Sequence, residues 1–319
     1  MDYETQFHNP LATLVARTYS AGVSDTTRAN TRRPAGEPDA VNALVRGFEV
    51  LDCVAAAGRA LGNAEIAQQT GIPRPTVSRL LATLVGLGHV REARDGSGYE
   101  LAAGVVRLAQ AFLGAIDVRA QARPHLVALA EACSASAFLA VRDADDMLVV
   151  EAGRSRSAVA LLGSDVGTRM AIASSALGRA WLAGVDETTR RAVLTRLRSG
   201  THAARSEAGA SLDTALAAAR RQGVALSIGE WHPNINSAAV ALRTPAGEVL
   251  AINCGGPSFL MPAQRLQDVV VPRLLATAAA IAQEIGGQLV PAVAPAGPSV
   301  RRRTAKSKPV PSEQQETSR

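Results

Sequence analysis

Residues 64–87 constrain this chain more than any other stretch, because they specify a short helix, a stop, a tight turn and a longer helix in immediate succession. Asn63 with Glu65 just behind it has the form of an N-cap followed by an acid in the first turn. Ile66 and Ala67 supply inward positions, and Gly71 stops the pattern. Pro73 and Pro75 bracket Arg74; proline is tolerated in a first helical turn, so a second helix opens here and is expected to bury Val77, Leu80, Leu81, Leu84 and Leu87 before Gly88 ends it. Upstream, Val45, Phe48, Leu51 and Val54 with Ala55 recur at three- to four-residue spacing, one apolar face of a helix ending near Gly58. Downstream, His89-Val90-Arg91-Glu92 and Gly98-Tyr99-Glu100-Leu101 flank Arg94-Asp95-Gly96-Ser97, which predicts a β-hairpin.

Helix, turn, helix and hairpin in that order describe a winged helix-turn-helix, here over 41–104. Its second helix presents Arg74, Thr76, Ser78, Arg79 and Thr83 outward, and the hairpin adds Arg91 and Arg94. Hydroxyls reach phosphate or base edges, and arginine pairs bidentately with guanine, so these seven residues are the candidates for contact with double-stranded DNA. A generic three-helix bundle with a hairpin is the bland alternative. Bulk charge does not decide between them: of the net +6, most comes from residues 291–319, where six basic residues face two acidic ones.

The remainder of the 319 residues suffices for a second, larger core. Residues 1–40, with Pro10, Pro34 and Pro38 and little periodicity, are expected to form a disordered arm. Residues 289–319, Pro-rich and then basic at Arg301-Arg302-Arg303, Lys306 and Lys308, are expected to form a disordered tail that is either simply solvated or a non-specific phosphate contact. No apolar run approaches a bilayer span, and Asp2 and Glu4 stand where a secretory signal carries positive charge; the expectation is a cytoplasmic protein with no membrane partner. Cys53, Cys133 and Cys254 are far apart in sequence, show no metal-ligand spacing and are expected to be small buried residues. No phosphate loop, dinucleotide fingerprint or metal cluster occurs, so no cofactor is implied.

Residues 105–117 are expected to be a linker helix, with Val106, Ala109 and Leu113 on one side, serving as a rigid connection or a dimerisation surface. Residues 118–288 combine helical stretches with two hairpins, at 137–151 and 238–254, which predicts an α+β domain on an antiparallel sheet.

The run Ala64-Glu65-Ile66-Ala67 through Gly71-Ile72-Pro73-Arg74-Pro75-Thr76-Val77-Ser78-Arg79-Leu80-Leu81-Ala82-Thr83-Leu84 resembles the DNA-binding part of IclR-type transcriptional regulators. The similarity continues through Asp117-Val118-Arg119, Ala122-Arg123-Pro124, Gly167-Thr168-Arg169 and Ser174-Ser175-Ala176-Leu177-Gly178-Arg179-Ala180 to Gly255-Gly256-Pro257. It spans roughly residues 41–286. The resemblance implies a winged-helix domain, a linker helix and a C-terminal GAF-like effector domain, in dimers or tetramers on palindromic operators.

By the same resemblance, Met170, Ala176, Leu177, Ser227, Ser237, Asn253 and Gly255 are the candidates for binding an effector, an organic or aromatic acid. Serine and asparagine side chains beside a helix N-terminus can hold a carboxylate without a full counter-charge. Departures are present: the family often has Asp at the position of Ser227, Cys at Ser237, and Ser at Asn253 and Gly255. Trp231 or His232, in the polar cluster Glu230-Trp231-His232-Pro233-Asn234, is read either as a lid over an aromatic ligand or as part of a loop anchored in the core. His232 and Cys254 have no orienting carboxylate or elbow motif, so no catalytic residue is assigned. Two rivals to an effector-modulated regulator stay in view: a constitutive architectural DNA binder whose sensor has lost its ligand, and an enzyme with an accessory DNA-binding domain.

Overall fold

A computed structural model describes residues 41–156, 164–199 and 206–291. The expected N-terminal arm and all but the first residues of the expected basic tail lie outside them.

Three helices and a hairpin build the first unit: α1 (Asn42–Ala57), α2 (Asn63–Thr70), α3 (Arg74–Gly86), β1 (Val90–Glu92) and β2 (Tyr99–Leu101). Val50, Val54, Leu61, Ile66, Ile72, Val77, Leu81, Leu84 and Val90 form its core. Burying side chains of this size contributes about 1.5–3 kcal/mol each. Gly71 leaves α2 in the left-handed conformation at φ 70°, and its N–H bonds back to Ala67 O, so the turn is a glycine cap as expected. Gly98 lies where the hairpin crosses the chain at Leu61; a Cβ there would come within 2.3 Å of Leu61 O, so only glycine lets the two strands meet.

Three local expectations need correction. Gly62, not Asn63, is the N-cap of α2, and the Asn63 side chain instead donates to Ser78 Oγ at 2.7 Å, tying α2 to α3. Leu87 is not buried: α3 ends at Gly86, one residue earlier than the apolar spacing suggests, and turns Leu87 out to 59 % exposure. In α1 the inward stripe is Val50 and Val54; Val45 and Phe48 face outward with Leu44. That helix carries two apolar stripes, and only one of them meets the rest of its own unit.

Next comes α4 (Gly104–Gly114), followed by α5 (Val118–Cys133). Leu113 and Ile116 pack on the core of the second unit, whereas Val106, Leu108 and Phe112 are exposed.

The second unit is an antiparallel sheet with helices on both faces. Its strands are β3 (Ser136–Asp143), β4 (Asp146–Arg154), β5 (Arg169–Ala171), β6 (Ala225–Ile228), β7 (Ile235–Arg243), β8 (Val249–Pro257) and β9 (Gln288–Leu289). They lie in the order β5-β4-β3-β8-β7-β6, with β9 added against β7. Between β5 and β6 run α6 (Ala176–Gly184), α7 (Glu187–Ser199) and α8 (Ser206–Gln222). After β8 the chain passes through α9 (Ala263–Arg265), a π-helical turn at Leu266–Val270 and α10 (Val271–Glu284).

Because both faces of the sheet are covered, β7 and β8 are buried along almost their whole length rather than alternating between buried and exposed residues. Alternate residues still go to different cores. Ala238, Val240 and Leu242 join the layer of α5 and α10, while Ala239 and Ala241 face α6 with Trp181 and Leu182. The small β7 residues let α6 sit close.

Cys133 and Cys254, distant in sequence, meet in the α5 layer, where the thiol of Cys254 hydrogen-bonds Cys133. That bond, with help from Arg273 and Arg265, lowers the Cys133 pKa to about 7, while the same bond and burial push the Cys254 pKa well up. Cys53 is half-buried and donates to Gln69 Oε1 at 3.3 Å. Among the described residues no helix is long and apolar enough to cross a membrane, and no group of three or more His, Cys, Asp or Glu side chains is placed to hold a metal ion.

Candidate nucleic-acid interface and effector pocket

The outer face of α3 begins at Pro73, whose extended backbone caps the helix, with Pro75 in the first turn fixing its start. Arg74 and Arg79 are exposed, and among the described residues neither has a carboxylate partner. Their guanidinium groups are therefore available to an outside acceptor. Thr76 is half-buried at the same end. The two remaining hydroxyls are already engaged: Ser78 Oγ donates to Arg74 O at 3.2 Å and accepts from Asn63, and Thr83 Oγ1 donates to Arg79 O at 3.0 Å. Both can still accept or exchange a bond, but each gives up a local one to do so.

The hairpin places its two arginines differently. Arg91 lies opposite Glu100 in the β1–β2 register and pairs with it at 2.8 Å, which ties its charge to the strand. Arg94 stands exposed at the turn, next to Asp95, whose carboxylate accepts from Ser97 N and Oγ. Those bonds lower the Asp95 pKa and hold the tip in one shape.

In the second unit a narrow pocket opens between the start of α6, the β6–β7 loop and the sheet. Met170, Ala176, Ser237, Asn253 and Gly255, expected from sequence as effector contacts, all line it. Leu177 and Ser227 do not. Leu177 is fully buried in the core behind α6, and Ser227 Oγ donates to Ser174 O at 2.9 Å while accepting from Trp231 N at 3.3 Å. Ser227 thus anchors the loop that carries Trp231 rather than facing the cavity.

Phe138, Ser164, Ser175, Trp231 and Ile235 complete the wall. Ser175 is the N-cap of α6, its Oγ accepting from Gly178 N at 3.1 Å. A serine ahead of Ala176-Leu177-Gly178 is a cap signal that sequence inspection can find; Phe138 and Ile235 read only as strand residues. Trp231 is half-buried; it packs on the core of the α6 layer and also lines the pocket.

Asn253 is nearly buried, and its Oδ1 accepts from Phe138 N at 3.2 Å. That bond fixes the amide orientation and leaves Nδ2 as the donor, with no acceptor among the described residues. Gly255 cannot be anything else: a Cβ would stand 2.5 Å from both Asn236 O and Ser237 Cβ. Among the described residues no charged side chain lines the pocket. Just behind it Arg179, almost fully buried, forms a two-pronged ion pair with Glu230 and donates to Leu226 O and Ala173 O. This network pins the β6–β7 loop to α6.

Residues 43–94 match the IclR helix-turn-helix domain, and residues 110–285 match the bacterial transcriptional regulator IclR C-terminal domain. The Pca regulon regulatory protein of Pseudomonas putida is 28 % identical over 295 residues, which are 90 % of this chain and all of that one. TsaQ1/TsaQ2 of Comamonas testosteroni, an HTH-type transcriptional regulator, is 29 % identical over 237 residues, 73 % of this chain and 84 % of its own. Among solved structures, an IclR family transcriptional regulator from Brucella abortus is 37 % identical with a TM-score of 0.66, covering 77 % of this chain and 94 % of its own. An IclR homologue from Microbacterium hydrocarbonoxydans, solved with 4-hydroxybenzoate, has the same fold at 24 % identity and a TM-score of 0.62, covering 76 % and 99 %. With both domains matched in order over most of its length, the chain belongs to the IclR family of transcriptional regulators.

Proposed function

We propose that this chain regulates transcription by binding operator DNA as a homodimer or a homotetramer, and that a small organic acid in the C-terminal pocket changes that binding. The observation that carries the reading is the joining of two sites by one helix. A recognition helix with Arg74 and Arg79 unpaired lies on one side of α4, and a neutral pocket with an unused Asn253 donor lies on the other.

The pocket favours a compact, flat monoanion. Phe138, Met170 and Trp231 offer apolar and aromatic walls, while Ser237, Asn253 and the capped start of α6 offer hydrogen bonds to an acid group without a full counter-charge. Leu44, Val45 and Phe48 of α1, with Val106, Leu108 and Phe112 of α4, supply apolar surface for a second copy. Two copies would place two recognition helices on a palindromic site. The ligand acts through its different affinity for two arrangements of those helices.

Mobility shift on the DNA flanking the chain's own gene, with competitor DNA at fixed salt, tests the first half. A specific complex at nanomolar protein is the expected result; sequence-indifferent, salt-sensitive binding points instead to an architectural role. Adding 4-hydroxybenzoate and other small acids to that complex tests the second half, with release or tightening as the expected outcome.

A further inference from the structure

A serine hydroxyl carries one proton and two lone pairs. On the outer face of α3 Ser78 is exposed, yet most of that capacity is already committed. Its proton goes to Arg74 O at 3.2 Å, one turn back in the same helix, and one lone pair accepts from Asn63 Nδ2 at 2.7 Å. Turning the Asn63 amide over would hand the same proton to Oδ1 instead, so in neither orientation is a proton left for an outside acceptor. What Ser78 has to offer is a lone pair.

Thr83 shows what Asn63 adds. It too is exposed and donates to the carbonyl one turn back, Arg79 O at 3.0 Å, but among the described residues no second side chain holds its hydroxyl. Its hydroxyl can leave that one bond and donate elsewhere. Ser78 would have to give up two. Asn63 is half-buried and is the first residue of α2, so the amide that holds Ser78 is itself fixed by the frame of the helix-turn-helix.

The duplex turns this arrangement into selection. Phosphate oxygens only accept hydrogen bonds, and in the major groove guanine O6 and N7 and thymine O4 are likewise acceptors, whereas adenine N6 and cytosine N4 carry amino donors. A hydroxyl with only a lone pair free is matched by an amino base, and by neither a phosphate nor a keto base.

We propose that Asn63 is a positioning residue for base recognition. By holding Ser78 as a hydrogen-bond acceptor, it makes α3 select adenine or cytosine over guanine or thymine at the strand position that Ser78 reaches; this rests on the operator-binding reading above.

The test is enrichment of sites from random duplexes by the full chain, followed by affinities for single-base variants of the enriched site. Ser78→Ala identifies the position, as the one where base preference changes. There the native chain should favour A or C over G or T by about three- to tenfold, the range for one neutral hydrogen bond. Asn63→Ala, which frees Ser78 to rotate and donate, should bring that ratio near one and leave preferences at the other positions as they are. Asn63→Asp still takes the Ser78 proton and should keep the ratio, while its charge weakens binding to all sequences. A ratio unmoved by Asn63→Ala overturns the proposal, as do a keto preference in the native chain, loss of the ratio in Asn63→Asp, or no position sensitive to Ser78→Ala. An Asn63→Ala effect spread evenly over every position would make the amide a prop for the fold and also overturn it. If the native chain enriches no site at all, operator binding itself fails; if it enriches one and the ratio does not move, only the role of Asn63 does.

Discussion

Arg119 and Glu151 form an ion pair of 3.1 Å at the point where α5 begins on the sheet. The Arg119 guanidinium also donates to Val150 O at 2.6 Å and to Leu113 O at 3.2 Å, so one side chain binds β4 and the end of α4 together. Arg119 is thereby the side-chain link between the sheet and the helix that leads to the DNA-reading unit.

Replacing Arg119 by Ala should destabilise the second unit by about 2–4 kcal/mol, because Glu151 is left nearly buried without its counter-charge. Urea unfolding measures this. Operator affinity without ligand should change little, while its response to ligand should shrink; an unchanged response would show that Arg119 only holds the fold.

Arg79→Ala should weaken specific operator binding by about 1–3 kcal/mol and leave binding to random DNA nearly unchanged. Arg94→Ala, at the hairpin tip, should instead weaken both by similar factors and lower the slope of log affinity against log salt by about 1. Titrations at three salt concentrations on both DNAs separate the two roles.

Gly255→Ala should cost about 1–3 kcal/mol and abolish the ligand response, since its Cβ has no room between Asn236 O and Ser237. Its neighbour is the control. A Cβ on Gly256 meets only Met261 Cε, at 3.8 Å, so Gly256→Ala should be tolerated within about 0.5 kcal/mol in the same unfolding assay.

Glu131 accepts from Ser155 Oγ at 2.8 Å and from Arg156 N at 3.0 Å, and these bonds, the backbone one foremost, hold its carboxyl below the usual value of 4.5. A lowered folded pKa contributes stability that is present above the unfolded value and is lost as pH falls through the folded one. Glu131→Gln should therefore melt below the native chain at pH 7, and the gap should close as the pH is taken below 4.5. A gap independent of pH would assign the loss to packing.

The helix-turn-helix was legible because its signals are local: Gly71 needs only its own φ, and Pro73 and Pro75 act within one turn. Where a second stripe or an alternative partner intervened, local signals failed. Val45 and Phe48 have the right period but not the right side, and Ser78 and Asn63 satisfy one another instead of a ligand and a cap. In the second unit, composition pointed to an antiparallel sheet, but the short strands β5, β6 and β9 carry too few residues to show a period. Phe138 and Ile235 could not be placed in the pocket from sequence, because their role depends on which strand lies beside which. The Cys133–Cys254 contact was hidden for the same reason.

The placement of β3 beside β8 also sets the order in which the protein comes into being. Phe138 and Asn253, adjacent across that pair, are 115 residues apart in the chain. The sheet therefore closes only after nearly the whole second unit has left the ribosome, and loops of that length make its folding slow. In the first unit, by contrast, every core residue falls between Val50 and Tyr99. Every residue the first unit's core needs is therefore made before the strands that close the second unit's sheet.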